Sequence, residues 1–274
     1  MYLSRLSVIA ASIPLATCLV ASAADVRISQ VYGGGGSASA TAAYKKDYVE
    51  LFNSGSAPVN ISGWVIAYGS AAGNWASSTG NFFTFPKGTI IQPCKYILVA
   101  CGTAGTGGAD LPVTADFVTT NINASATSGK VGLFNAAITN AACGSEPAGI
   151  LVDKVSYGTA NCAEGTAVGV LANTNAAVRN NGGMTDTDSN VADFTVTTAP
   201  VPRSSASAAN PKCGSQPTPC PADLNGDRAV DASDLAALLS AWDSTGGAAD
   251  IDADGTVGAS DLAAMLNAWG ACPA

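Results

Sequence analysis

Oxygen-bearing side chains recur at Asp223, Asn225, Asp227, Asp231 and Asp234, and a similar set begins 27 residues later. Counted from Asp223, and with the backbone carbonyl of Ala229 included, the set falls at positions 1, 3, 5, 7, 9 and 12 of a twelve-residue segment. That is the ligand order of a calcium loop. The second copy offers Asp250, Asp252 and Asp254 at positions 1, 3 and 5, and the carbonyl of Thr256 at 7. It has Gly258 at 9, where a water substitutes, and Asp261 at 12. Calcium takes six to eight oxygens at roughly 2.3–2.6 Å, so alternate residues of a tight loop must all turn inward. Three or four carboxylates packed together repel strongly unless a cation lies between them. Ca2+ is therefore the expected cofactor. Gly255 stands at position 6, where the loop turns sharply, whereas the first copy has Arg228 there, which predicts a more strained or weaker first site.

The repeat extends beyond the ligands into the elements that must hold them. Asp223 matches Asp250, Asp234 matches Asp261, Leu235 matches Leu262 and Trp242 matches Trp269. After each loop, apolar residues fall at i, i+3, i+4 and i+7: Leu235, Leu238, Leu239 and Trp242, then Leu262, Met265, Leu266 and Trp269. That spacing predicts one amphipathic helix per loop. Each stripe is too small to form a core alone, so the two stripes are expected to pack together as one small core.

Charge follows the same division. The 274-residue chain has a net charge of −8, and the segment from Cys220 onward, with nine Asp and one Arg, accounts for all of it in magnitude. Residues 24–219 balance to −1. Acidity concentrated in this way suits a hard cation and repels nucleic acid, and the basic pair Lys45 and Lys46 is too little to reverse that. The chain has no histidine and no C-x-x-C pair, which excludes zinc sites and histidine-based triads or general bases.

Residues 1–23 have the three parts of an export signal: Arg5, an apolar stretch from Leu6 to Val20, and small residues before a cut at Ala24. Lipidation at Cys18 is the alternative reading of this segment. No later run is long and apolar enough to span a membrane. Seven cysteines remain after the cut, so an exported chain is expected to form disulfides and to leave one thiol over.

Residues 24–207 read as an all-β sandwich. Short alternating runs at 26–32, 48–52, 64–68, 96–100, 131–134 and 151–157 are separated by Gly, Asn and Ser clusters, without a 3.6-residue period. Residues 208–219, with Pro211, Pro217 and Pro219, read as a linker, and residues 220–274 as the calcium module. Among candidate catalytic groups, Glu50 and Asp153 lie on strands, but no spacing selects them as a pair. Glu50 either faces solvent or anchors a buried hydrogen bond. Asp186, Asp188 and Asn190 alternate like the start of a calcium loop, but without an acidic position 12 they read as a polar turn. Tyr68 and Trp75 look exposed and could stack on sugars, although single aromatics are more often core.

Residues 220–274 resemble the type I dockerin module, whose two loop-helix repeats bind calcium and, in cellulosome components, a cohesin partner. The chain departs from the family at loop positions 10 and 11, with Ala232-Ser233 and Ala259-Ser260. It departs again at 17 and 18, with Leu239-Ser240 and Leu266-Asn267 where basic residues are usual. Cys220 and Cys272 bracket this module, and a pairing that clasps its ends would leave Cys213 as the odd thiol. Residues 26–207 resemble the bacterial lamin-tail domain, an immunoglobulin-like β-sandwich. The carrying runs are Ile28–Gly36, Asp47–Asn53, Ile61–Trp64, Lys95–Val99 and Gly132–Phe134. Exported relatives are often joined to nucleases, phosphatases or adhesive modules, and none of those catalytic parts is present.

The expected protein is mainly β, a sandwich followed by a small helical module. It is secreted or at the cell surface, non-catalytic, and acts as a binding or scaffold module. Residues 220–274 would meet a cohesin-like or cell-surface protein, and the ligand of the sandwich is left open. The alternative is a component of extracellular polysaccharide breakdown recruited through the same module.

Overall fold

The computed structural model describes residues 25–213, 220–225, 229–252 and 254–271. The signal segment 1–23, Asp227, Arg228 and Cys272 lie outside the described residues.

The first part holds twelve strands: β1 (Val26–Tyr32), β2 (Asp47–Asn53), β3 (Val59–Asn60), β4 (Val65–Ser70), β5 (Phe82–Thr84), β6 (Ile90–Ile91), β7 (Tyr96–Cys101), β8 (Phe117–Val118), β9 (Gly129–Phe134), β10 (Leu151–Tyr157), β11 (Ala176–Arg179) and β12 (Phe194–Thr197). Two four-residue helical turns, α1 (Asn180–Gly183) and α2 (Asn190–Asp193), separate β11 from β12. A six-stranded sheet in the order β12-β11-β1-β2-β7-β8 faces a four-stranded sheet in the order β10-β9-β4-β5. A short β3-β6 pair lies apart.

Alternation along each strand sorts its side chains between two faces. Val49 and Leu51 of β2 and Ile97 and Val99 of β7 enter the core between the sheets, where they meet Ile66, Val131, Leu133 and Val155. In β1 the alternation breaks once. Register slips between Ile28 and Gln30, so Val26 and Ile28 point into the core and, past the extra residue Ser29, Val31 does so again.

The opposite face of the six-stranded sheet is not left to water, as one face of an antiparallel sheet commonly is. Every residue of β2 and β7 is buried. Tyr32, Tyr48, Leu98 and Ala176 form one cluster on that face, and Phe52, Tyr96 and Cys213 another. The outer side of the smaller sheet is closed by Trp75, Phe134 and Ile138. Tyr68 and Trp75 are both buried, so their exposed look in the sequence gives way to the core reading: Tyr68 of β4 packs into the core between the sheets and Trp75 into the cluster on the outer side of the smaller sheet. Glu50 also turns to the covered face and is buried there.

The second part contains β13 (Ala229–Val230), α3 (Ala232–Ser240), α4 (Ala259–Asn267) and β14 (Gly270–Ala271). Its core is Ala222, Val230, Leu238, Ala249, Val257 and Met265. The repeat is visible in the pairing. Val230 of the first loop pairs with Gly270 beyond α4, while Val257 of the second loop exchanges hydrogen bonds with Asp243 and Ser244 beyond α3. Each loop is thus tied to the end of the other copy's helix. Among the described residues no helix is long and apolar enough to cross a membrane.

Two expectations change here. The helical stripes are only half buried: Leu238 and Met265 are inside and Leu235 and Leu262 pack against the core, but Leu239, Trp242, Leu266 and Trp269 are 52, 39, 54 and 48% exposed. Two nine-residue helices with no third layer over them shield only the inner half of each stripe. The cysteines also pair differently. Cys94 joins Cys213 and Cys143 joins Cys162, so Cys213 is not the odd thiol. Among the described residues the free one is Cys101, buried in β7, where burial pushes its thiol pKa up. Cys220 is disulfide-bonded, and Cys272, its expected partner, lies outside the described residues. Because Cys213 is bonded to Cys94, the stretch read as a linker stays packed on the sandwich through residue 213.

Candidate metal centre

The second loop is assembled from backbone turns that aim its acids at one another. The Asp252 carboxylate accepts from the Asp254 amide at 3.1 Å, and the Asp254 carboxylate accepts from both the amide and the hydroxyl of Thr256 at 2.9 Å. Asp250 Oδ2 accepts from the Gly255 amide at 3.1 Å. Gly255 has φ +98, in the left-handed region where a residue with a Cβ is strained, so position 6 has the residue the turn requires.

One oxygen from each of Asp250, Asp252 and Asp254 lies within 4.8 Å of the others. Such a cluster can be a solvated acidic turn, but the Oδ1 of Asp250 is buried and has no hydrogen-bond partner among the described residues. A buried carboxylate oxygen left without a donor costs free energy, whereas a hard cation with oxygen ligands satisfies it and screens the three like charges together. The donor set is all oxygen, which fits calcium and not a thiophilic metal.

Position 12 acts differently from positions 1, 3 and 5. Asp261 is buried, with Oδ1 accepting from the amides of Ile251 and Asp252 at 2.6 and 3.2 Å and Oδ2 accepting from Gly258 at 2.7 Å. Asp234 repeats this in the first loop, accepting from Leu224 and Asn225 at 2.8 and 3.1 Å and from Asp231 at 2.9 Å. The backbone hydrogen bonds, that from Asp231 first for Asp234 and that from Gly258 first for Asp261, hold both carboxyls below the usual range. Each position-12 acid closes its loop onto the helix that follows. A carboxylate has about four lone-pair sites, so three amides leave roughly one for an ion.

The helix starts differ. Asp231 caps α3 by accepting from the Ser233 amide at 2.7 Å, reciprocated by Asp234. Gly258 at the start of α4 has no side chain to do so and contributes only its amide to Asp261. In the first loop Asp223 is half-buried and Asn225 exposed. Ala229 lies in β13, and Asp227, which would complete the trio, is outside the described residues. The structure therefore brings together Asp250, Asp252 and Asp254, with Thr256, Gly258 and Asp261 around them, and leaves the first cluster undrawn.

The acids of the sandwich have different partners. Glu50 accepts from Arg203 Nη2 at 2.7 Å and from Ser29 Oγ at 2.6 Å. Asp153 accepts from Arg179 Nη2 at 2.8 Å and from the Ile28 amide at 2.6 Å. Asp186 pairs with Arg179 at 2.9 Å and Arg27 at 3.4 Å, and Asp193 accepts from Thr187 and Ser189, so the 186–193 segment is a polar turn tied to an ion network. These carboxylates neutralise the fully buried Arg179 and the partly buried Arg203 and Arg27.

The outer flank of the two helices, expected from the spacing to belong to the packed stripes, is exposed. Leu239 and Trp242 recur as Leu266 and Trp269, giving two equivalent exposed apolar patches. Spacing alone could not separate them from the buried half of the stripe.

A family model described as Lamin Tail Domain matches residues 20–159, and one described as Dockerin type I domain matches residues 221–268. A solved structure of a DUF4876 family protein from Bacteroides thetaiotaomicron is 12% identical to this chain. It covers 68% of this chain and 74% of its own length with a TM-score of 0.46. No curated protein matches the chain.

Proposed function

We propose, from the premise that the chain belongs to the Lamin Tail Domain family and ends in a dockerin type I module, that it is an exported scaffold protein whose C-terminal repeats bind calcium and dock a partner protein. Lamin-tail and dockerin domains are both non-catalytic modules, and the pair suits docking or scaffolding.

The observation that carries the calcium reading is the cluster of Asp250, Asp252 and Asp254 together with the buried Oδ1 of Asp250, which has no partner among the described residues. The second site uses Asp250, Asp252 and Asp254, the carbonyl of Thr256, a water at Gly258 and the remaining lone pair of Asp261. The first uses Asp223, Asn225, Asp227, the carbonyl of Ala229, Asp231 and Asp234. Bound calcium would supply positive charge at the acidic ligands of each loop, and the loops would orient the helices behind them.

Those helices present the docking surface. Exposed Leu239 and Trp242, with their repeats Leu266 and Trp269, are large apolar side chains that a stable partner would cover, and Trp is favoured at the centre of such contacts. Dockerin modules generally bind cohesins, so a cohesin-like partner is the leading candidate. Leu239 and Leu266 stand where family members usually have basic residues, which points to a more apolar contact.

Calorimetric titration of the full chain with calcium should show two binding events, the tighter lost in Asp250→Ala. A pull-down with cohesin modules should retain a partner in calcium and release it in chelator. No heat of calcium binding would end this reading, and calcium binding without capture of any cohesin would confine it to ion binding.

A further inference from the structure

The chain does not leave the sandwich at its last strand. Past Thr197, the end of edge strand β12, it turns and runs across the outer face of the six-stranded sheet, touching the strands in their spatial order. The Pro200 carbonyl accepts from the Tyr44 hydroxyl, and the Val201 carbonyl accepts from Gln30 of β1 at 2.9 Å. The Arg203 amide donates to Glu50 of β2 at 2.5 Å. The Arg203 guanidinium donates to the Tyr96 hydroxyl of β7 at 2.7 Å and lies 3.8 Å from that ring's centroid. The Ser205 amide then donates to Asp116, the residue before β8, at 3.0 Å. Having crossed the sheet, the chain turns back. Its Asn210 amide donates to the Cys94 carbonyl at 2.9 Å, and Cys213 bonds covalently to Cys94, 119 residues away and two residues before β7.

The order of these contacts matters for a chain pulled from its C-terminal side. Hydrogen bonds and one stacked guanidinium, taken singly, break one after another from the pulled end, and the edge strand would follow. A covalent bond at the pulled end prevents the first step. Tension applied beyond residue 213 reaches Cys94 through sulfur, and the whole stretch from 199 to 212 then lies outside the path of the force. Cys94 opens onto β7, which is held by β2 on one side and β8 on the other.

We propose that residues 199–213 are a strap and that the Cys94–Cys213 disulfide is a load anchor: tension from the C-terminal module enters the sandwich at β7 and bypasses both the strap and edge strand β12. The source of that tension rests on the docking function proposed above, but the mechanics do not.

The test holds the full chain in calcium between chemical handles at its two ends in an optical trap. The oxidised protein should show no early extension before the sandwich ruptures. A Cys94→Ser/Cys213→Ser variant should add an early step at no more than half the rupture force, releasing up to about 50 Å of chain, the length of fifteen extended residues. If that variant does not fold, the wild-type protein is folded oxidised and reduced within the trap, and a step of the same length should appear. Rupture of the variant, or of the reduced protein, in one event at the oxidised protein's force would overturn the proposal. Because the handles replace any natural partner, a module that captures no cohesin would end the docking function and leave these traces unchanged.

Discussion

The sandwich and the C-terminal module treat their carboxylates differently. In the sandwich the buried Glu50 meets Arg203 and the buried Asp153 meets Arg179, while Asp47 rests on the amides of Gly35 and Ala124. In the module Asp250, Asp252 and Asp254 converge with no arginine or lysine described among their contacts, and Asp234 and Asp261 rest on backbone amides. The arginine pairs of the first lie within the chain, and the acidic cluster of the second has no described cation beside it. On the calcium reading proposed above, one part keeps its stability without an added ion while the stability of the other follows calcium concentration.

The strongest way to break the comparison is to remove the ion. Excess chelator should abolish the module's cooperative melting transition while the sandwich midpoint, followed by calorimetry on the same sample, stays within a degree. A shared loss of both transitions would mean that the two parts are not independent.

Next in size is the internal pair. Asp153→Ala strands the fully buried Arg179 and should destabilise the sandwich by about 3–5 kcal/mol in urea unfolding. Calcium binding should be untouched. A loss under about 1 kcal/mol would show that Asp186 and Asp193 alone neutralise Arg179.

The pH response should also separate the parts. Burial raises the Asp47 carboxyl to about 6, although the Ala124 and Gly35 amides donate to it, and burial raises Glu164 to about 7. A folded pKa above the unfolded value means the native state binds the proton more tightly. That contribution is fully present below the unfolded value and is lost as pH rises through the folded one. The sandwich should therefore gain stability between pH 8 and pH 5, by up to about 3 kcal/mol from Asp47 over its full range. Asp47→Asn should flatten the profile. Asp234 and Asp261 have lowered values, so their contribution is present above the ordinary carboxylate value of 3.8 and falls away only below it. Through those two groups the module should be level across the same window.

The smallest effect on stability tests the outer flank. Trp242→Ala, at an exposed site, should shift the module's midpoint by no more than about 0.5 kcal/mol yet weaken partner capture. Trp75→Ala, which removes a fully buried ring, should cost the sandwich about 3–5 kcal/mol. The same residue type thus reports packing in one part and docking in the other.

Much of this was legible in the residues. Runs 26–32 and 151–157 coincide with β1 and β10, and the four other runs fall within two residues of the bounds of β2, β4, β7 and β9, because alternation over four or more residues is a strong local signal. The short strands β3, β5, β6, β8, β11 and β12 carry two to four residues each, too few to show a period. The extra residue at Ser29 is invisible in composition and appears only when the partner strand sets the register.

The sequence by itself determined the pitch of the two acidic loops, because every proposed ligand lies within twelve residues of the first and, in the second loop, a tight turn with Gly255 leaves the intervening backbone little choice. It also determined that the copies would pack, since neither stripe could be buried alone. Tertiary structure decided which half of each stripe stays exposed, which cysteines meet, and which arginine Glu50 and Asp153 each receive. Those depend on contacts such as Cys94 with Cys213 or Glu50 with Arg203, separated by 119 and 153 residues. At such separations nothing in local spacing distinguishes one partner from another, and only the order of strands in the sheet brings the chosen pair together.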